Sequence, residues 1–447
     1  MFSSIFDLTA KTQDSIDLSP SHIAVKNKAT LEQSVIDELL YTAVFSSDEE
    51  LKDYCRTLIV QLAQTLGAYS ASMYPIYQAF GRGELSGFTI PAVNIRTLTY
   101  DTARLIFRLM MQKNIGAVVF EIARSEIEYT DQRPQEYSTV ILAAAIKEGY
   151  RGPVFLQGDH YQFSKNKFTS DKDAEIERIK NLVQESINGH FSNIDIDAST
   201  LVDLDKKDVA EQQQNNYEMT ALLTTYIRSI QPKDQTISIG GEIGHIGGRN
   251  STTKDFEAFM TGYQRLIQEE GLGKISVQTG SSHGGTVLPD GTIQEVRIDF
   301  PVLKDIGEVA RQKYHIGGAV QHGASTLPLS YFENFVAAQT LEVHLATGFQ
   351  NIVYDTMPQN LKSEIYTWLK EQLSNEKEDG WNAEQFLYKT RKKAFGPFKQ
   401  MLWDLTEEEK QPILHALEQQ FLIIFDKLNI AQTKDRVNSY LPKHPVS

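Results

Sequence analysis

Gly152-Pro153-Val154-Phe155-Leu156-Gln157-Gly158-Asp159-His160 is an apolar run that ends abruptly in an acid and a histidine. A short apolar run bounded by glycine reads as a buried strand. This one delivers a proton-transfer group and a metal-ligand candidate side by side at its end. On either side of it, from Gly87 onward, short apolar runs alternate with amphipathic helical segments, punctuated by Gly, Asn and Asp. Eight strands are predicted, at about 87–94, 117–122, 153–159, 192–197, 236–241, 274–279, 317–321 and 340–345. Each is separated from the next by enough chain for a helix. Eight strand–helix units in about 265 residues match a (β/α)8 barrel better than an open doubly wound sheet. No G-x-G-x-x-G follows the first strand, which lowers the dinucleotide-binding alternative further.

The expected class is therefore α/β, a (β/α)8 TIM barrel over 86–354 with helical extensions over 1–85 and 355–447. The first 23 or so residues, rich in Ser, Thr and Asp, read as an arm or partly ordered leader. Thr30-Leu31-Glu32-Gln33 and Ser47-Asp48-Glu49-Glu50 have the capping-box pattern, and Leu51, Tyr54, Leu58, Leu62 and Leu66 share one helical face. Thr406-Glu407-Glu408-Glu409 opens another helix, whose stripe Leu414, Leu417, Phe421 and Ile424 reads as a face packed on the barrel or on a second subunit.

Bulk properties narrow the function. Of 447 residues, 41% are hydrophobic and 23% charged, the balance of an ordinary globular chain. No apolar run approaches the roughly 18 residues of a membrane helix. The N-terminus lacks the basic-then-apolar order of a secretory signal, so a cytoplasmic protein is expected. Cys55 is the single cysteine, which excludes intramolecular disulfides and a cysteine zinc cluster, so any metal must be held by His and carboxylates. A net charge of -14 argues against a nucleic-acid partner. A small anion can still be bound by local backbone N–H groups.

Barrel enzymes carry their reactive groups at the carboxyl ends of the strands. Here the third predicted strand ends in Asp159-His160 and the fifth in Glu242; the sixth leads to His283 and the seventh ends in His322. Each histidine taken alone is more often a hydrogen-bonded structural residue. Three of them and a carboxylate at one end of separate strands can instead converge on one divalent cation. N/O ligation with an open position suits zinc, and Co2+, Mn2+ or Fe2+ suit it as well. Gly284, Gly323 and Ser325 sit where backbone N–H groups after strands six and seven could meet a phosphate, and Thr347 could add a hydroxyl.

From Phe88 to Gln350 the chain resembles the class II, metal-dependent fructose-bisphosphate and tagatose-bisphosphate aldolases. The likeness rests on Pro91-Ala92-Val93-Asn94, Asp159-His160, Glu242-Ile243-Gly244-His245-Ile246-Gly247-Gly248, His283-Gly284 and His322-Gly323-Ala324-Ser325. Phe120-Glu121, Gly158-Asp159-His160, Ile196-Asp197-Ala198-Ser199 and the helical tail are similar to the larger subunit of tagatose-bisphosphate aldolases. The resemblance implies retro-aldol cleavage of a phosphorylated ketose, a homo-oligomer of two or more chains, and no membrane. It implies His160, His283 and His322 as metal ligands and Glu242 as an additional or alternate one. Asp159 would exchange a proton with the C4 hydroxyl, and Asn94 and Asp197 would line the pocket.

Three departures stand out. After Gly247-Gly248 the family's loop carboxylate is replaced by Arg249-Asn250-Ser251-Thr252, with no acid until Asp255. His344 and Ala346 stand where the family usually has Asn and Asp, which places His344 in altered substrate recognition. Strand two ends in Glu121 and Ala123 in place of an amide and a hydroxyl, making Glu121 a candidate substitute base or a ligand to substrate hydroxyls. These changes leave open a ketose-phosphate C4 epimerase, working by cleavage and re-addition, and a non-catalytic partner subunit.

Overall fold

Eight parallel strands close on themselves in a computed structural model that describes residues 1–19, 22–244, 249–280 and 297–442. They are β1 (Ile90–Asn94), β2 (Val119–Ala123), β3 (Gly152–Gln162), β4 (Asn193–Asp197), β5 (Ser238–Glu242), β6 (Lys274–Val277), β7 (Ala319–Gln321) and β8 (Glu342–Leu345). Each pairs with its successor, and β8 pairs with β1 through Glu342↔Ile90 to Leu345↔Val93, which completes the barrel. The eight expected strands are all present, with helices between them packed on the outer face. Among the described residues no helix is long and apolar enough to cross a membrane.

The segment before the barrel is more ordered and less helical than expected. Instead of a loose arm, the first residues form helix Ile5–Thr12 and an antiparallel hairpin, Ile16–Ser19 with His22–Val25. Phe2, Leu8 and Ile16 are buried, so the physical reason is apolar burial of residues too sparse to show a periodicity. A further strand, Ala68–Ser70, pairs in parallel with the start of β3. The caps also shift by a few positions. Asn27 rather than Thr30 caps the first of these helices, and Asp48 rather than Ser47 accepts from Glu50 and Leu51 N–H. Thr406 and Glu409 do form the expected capping box. The stripe below it packs on the barrel, with the Phe421 ring 4.4 Å from that of Phe349 in helix Thr347–Thr356.

Two features of the barrel interior position the site. The first is a break in the pleat of β3. Gly158 pairs with Ile194 but Tyr161 pairs with Ile196, so Asp159 and His160 together oppose Asp195. In a regular strand consecutive side chains point to opposite faces. The extra residue of a bulge removes that restriction, and His160 absorbs the bend with a left-handed φ of 46°. Gln157 and Asp159 face inward, His160 joins them, and Tyr161 returns to the outer face, where its hydroxyl meets Ser186 Oγ. Gly158 is what lets the Tyr161 ring lie across the strand, since a Cβ there would collide with the ring.

The second is a buried charged layer below the carboxyl ends, one step of two residues down each strand. Lys274 Nζ on β6 is bonded to Glu342 on β8, lies 2.9 Å from Asp195 Oδ2 on β4, and donates to Gln157 Oε1 on β3 at 2.9 Å. Gln157 Nε2 in turn donates to Glu121 Oε2 on β2 at 2.7 Å. From below, Tyr77 of helix Tyr74–Gly81 donates to Glu342, so the N-terminal extension floors the barrel. Gly240 leaves room for this layer, because a Cβ there would stand 2.9 Å from Lys274 Cε. Burial pushes the Asp195 carboxyl up to about 6 against the pull of Lys274. A buried charge stripped of its partner is costly, so Lys274→Met, which removes the cation between Asp195 and Glu342, should lower unfolding stability by about 3–5 kcal/mol, read as a reduced denaturant midpoint. Gly158→Ala should cost about 1–3 kcal/mol by overpacking against Tyr161; an unchanged midpoint would show that the bulge does not depend on this contact.

Candidate active site

A cavity of about 460 Å3 opens at the carboxyl ends of the strands. Asn94, Asp159, His160 and His322 line it, as do Gly323, Ser325, His344 and Thr347, all singled out in the sequence. Glu242 is buried beside His160 and His322. Glu121 and Asp197 are buried behind the lining rather than in it. His283 and Gly284 lie outside the described residues, as does His245 to Gly248 of the loop after β5.

His160, Glu242 and His322 each bring a ligand atom within 4.8 Å of the others. His160 Nδ1 and His322 Nδ1 lie 3.3 Å and 3.7 Å from Glu242 Oε2. Tetrahedral ligands at ~2.1 Å from an ion stand ~3.4 Å apart, so both histidine nitrogens lie at about ligand spacing from Glu242 Oε2. The His322 ring is held neutral, first by burial and then by the neighbouring His160 and His344, which suits ligation. Asp197 explains its own position: its Oδ2 is 3.3 Å from His160 Nδ1, and it accepts from Ser199 N–H at 3.0 Å and from Gln162 Nε2. Burial opposes its charge, but His160 and these donors bring the carboxyl down to about 2. Asp197 and Glu242 face the same His160 nitrogen from two sides and together fix the ring.

Asp159 stands beside this cluster, 3.9 Å from His160 Nε2. Its Oδ2 accepts from Asn94 Nδ2 at 3.2 Å and its Oδ1 lies 3.2 Å from His344 Nδ1. Burial alone would raise its pKa, but His160 and His344 outweigh it and hold the carboxyl well below the usual range. His344 also reaches down, with Nε2 2.7 Å from Glu342 Oε1 and Nδ1 3.2 Å from Glu121 Oε1. It therefore joins the charged layer to Asp159. Burial, with Asp159 and Glu342 nearby, pushes the Glu121 carboxyl far up. Glu121 reaches the cavity only through His344, which is a different placement from a base facing substrate.

The loops after β7 and β8 are tied together. Ser325 Oγ accepts from Ala346 N–H at 3.1 Å and Gly348 N–H at 2.9 Å, so the hydroxyl caps helix Thr347–Thr356 in this conformation. Gly323 takes a left-handed φ of 70° directly after His322, a bend that glycine makes without strain. In the loop after β5, Arg249 forms a two-pronged pair with Asp255 at 2.6 Å and 2.8 Å, and Asp255 caps helix Thr253–Gln264. Asp255 is thereby committed to structure.

Arg96 and the basic residues of the C-terminal extension line the cavity and escaped the sequence reading. Arg96 pairs with Glu126 at 2.6 Å and donates to Gln350 Oε1 at 2.7 Å and Thr347 Oγ1 at 3.2 Å. Its position two residues beyond Asn94, on the same side of an extended chain, was a usable signal. Tyr388, Lys389 and Lys392 carried none, since a helical tail gives no hint that it returns to the barrel mouth.

Several solved structures are similar to this chain. A fructose-bisphosphate aldolase of Campylobacter jejuni is 17% identical over 82% of this chain and 96% of its own, with a TM-score of 0.49. The YdjI aldolase of Escherichia coli K12 is 12% identical over 76% and 99%, with a TM-score of 0.41. The fructuronate-tagaturonate epimerase UxaE of Cohnella laeviribosi is 11% identical over 84% and 85%, with a TM-score of 0.53, a likeness of fold. No curated protein matches the sequence at a significant level. The family model for fructose-bisphosphate aldolase class-II, however, matches residues 76–405. A match over that span, running through every strand of the closed barrel, means that the chain belongs to the class II fructose-bisphosphate aldolase family, whose members depend on a bound metal.

Proposed function

We propose that the chain is a metal-dependent aldolase that cleaves and forms the C3–C4 bond of a phosphorylated ketose of the fructose or tagatose bisphosphate type, giving dihydroxyacetone phosphate and an aldehyde. The observation that carries this reading is a carboxylate, Asp159, standing beside the His160–Glu242–His322 cluster in one cavity. These three residues, with His283 as the ligand the sequence resemblance adds, would hold zinc, and Co2+, Mn2+ or Fe2+ suit the same donors. A divalent ion there supplies Lewis-acid polarisation of the substrate ketone.

The remaining steps belong to the chain's own residues. In cleavage Asp159, held ionised, takes the C4 hydroxyl proton as the C3–C4 bond breaks, and in synthesis it returns that proton to the new hydroxyl. Asn94 and His344 orient its two oxygens, one each. The carbon-bound proton is assigned to the His344–Glu121 pair, because Asp255, the first acid after the Gly-Gly loop, is occupied by Arg249 and the helix cap. Arg96 and Thr347 face the substrate phosphate.

If the aldehyde is retained and re-added on its opposite face, the same bond cleavage yields a C4 epimerase. The fold likeness to a fructuronate-tagaturonate epimerase supports looking for that product. Metal analysis combined with a screen of ketose mono- and bisphosphates separates the readings. Triose phosphate release is the expected result, and a C4 epimer formed without it would select the epimerase. A protein with no bound metal and no activity after zinc addition would overturn both and point to a non-catalytic partner subunit. His160→Ala and His322→Ala should each lower metal content and abolish activity. Asp159→Ala should keep its metal and lose about 10²–10⁴-fold in the rate of bond cleavage, the range for a lost general base; full activity would remove Asp159 from this role.

A further inference from the structure

The C-terminal extension supplies part of the cavity wall. Helix Ala383–Thr390 and the 3-10 turn Arg391–Ala394 bring Tyr388, Lys389 and Lys392 to it. The two neighbours of Lys392 are engaged in packing. Arg391 stacks on Tyr354 and Tyr388, 4.8 Å and 4.4 Å from the ring centroids, and donates to Asn351 Oδ1 at 2.6 Å, while Lys393 pairs with Glu376. Lys392 is half-buried with its ammonium over the Tyr129 ring at 5.5 Å. Among the described residues neither Lys392 nor Lys389 has an ion-pair partner.

The other charges on the wall do not make up this deficit. Glu126 is taken by Arg96 and Asn94, and Asp159 by the histidines, which leaves the exposed Glu128 at the rim. Burial, and then the nearby Arg96, weaken the hold of Lys392 on its proton. A partly desolvated cation among other cations is unfavourable by itself, and an incoming oxyanion relieves it. The segment is also held in place before any ligand arrives. Gly396 N–H donates to Tyr129 O at 3.0 Å, and Lys399 bonds Asp131 O and Glu136. A Cβ at Gly396 would come 2.8 Å from Tyr129 O, so this close approach needs the glycine.

We infer that Lys392, with Lys389 beside it, forms an oxyanion subsite of the cavity that takes a phosphate or carboxylate group of the substrate, making the C-terminal extension a substrate-binding element. The inference rests on this cavity being the active site. Lys392 offers a point charge with three donors and, among the described residues, no ion-pair partner, and Tyr129 restricts its swing.

Calorimetric titration of inorganic phosphate into the full-length, metal-loaded protein tests this, with glucuronate as the carboxylate probe. Lys392→Gln should weaken the favoured anion by about tenfold or more and Lys392→Arg by less than about threefold, the difference made by one charge-assisted contact. Both variants should melt as the wild type does, and Lys389→Gln, at an exposed position, gives a second variant expected to weaken binding without unfolding. Phosphate weakened by Lys392→Gln, or glucuronate weakened in its place, supports the subsite and identifies the group it takes. If both anions bind Lys392→Gln as tightly as wild type, or neither binds the wild type, the subsite is overturned. Anion binding needs no turnover, so loss of the aldolase reading with Lys392-dependent binding intact, and the reverse, are separate results.

Discussion

Asp159 and His160 share one cavity because β3 carries a residue more than its neighbour β4 can match. Neighbouring residues in a regular strand cannot serve the same face, and the chemistry here needs a ligand and a proton acceptor within a few ångströms. The bulge supplies this at the cost of a left-handed histidine, on the order of 1–2 kcal/mol. Gly158 makes space for Tyr161 on the outer side, while Asp197 and Glu242 hold the displaced His160 ring on the inner side. Much of the site geometry follows from that irregularity.

Below it the barrel departs from the usual packing of branched apolar residues. Lys274, Asp195, Glu342, Gln157 and Glu121 form a buried polar layer tied together through Lys274 and Gln157, whose contacts are strengthened by the low local dielectric. His344 is its link upward: one nitrogen faces Glu342 and the other Asp159. The charge state of the cavity is thereby coupled to a layer that solvent does not reach. The two extensions close the barrel at opposite ends, Tyr77 at the floor and Lys392 at the mouth.

Much of this was readable from local pattern. All eight strands appear because short apolar runs between helical segments have few other uses, and the ligand candidates lay at their ends, where barrels place reactive groups. Asn94 also pointed to Arg96 by simple alternation. The N-terminal arm was misread because Phe2, Leu8 and Ile16 are buried without a period, and Thr30 and Ser47 lost their caps to neighbours, Asn27 and Asp48, with equally good oxygen acceptors. Glu121 was a reasonable base by position, yet one step of two residues along a strand separates the cavity layer from the buried one.

By itself the sequence determined the barrel, the order of its strands, and the meeting of His160, His322, Glu242 and Asp159 at one end, because hydrophobic periodicity and chain connectivity decide these. Only the tertiary structure decided that Asp159 and His160 point the same way, that Glu121 lies behind His344, and that the tail beyond β8 returns with Lys392 to the cavity wall. The reason is physical: a one-residue offset between paired strands and a contact between remote segments are properties of the packed chain, and neither leaves a local trace in composition or spacing.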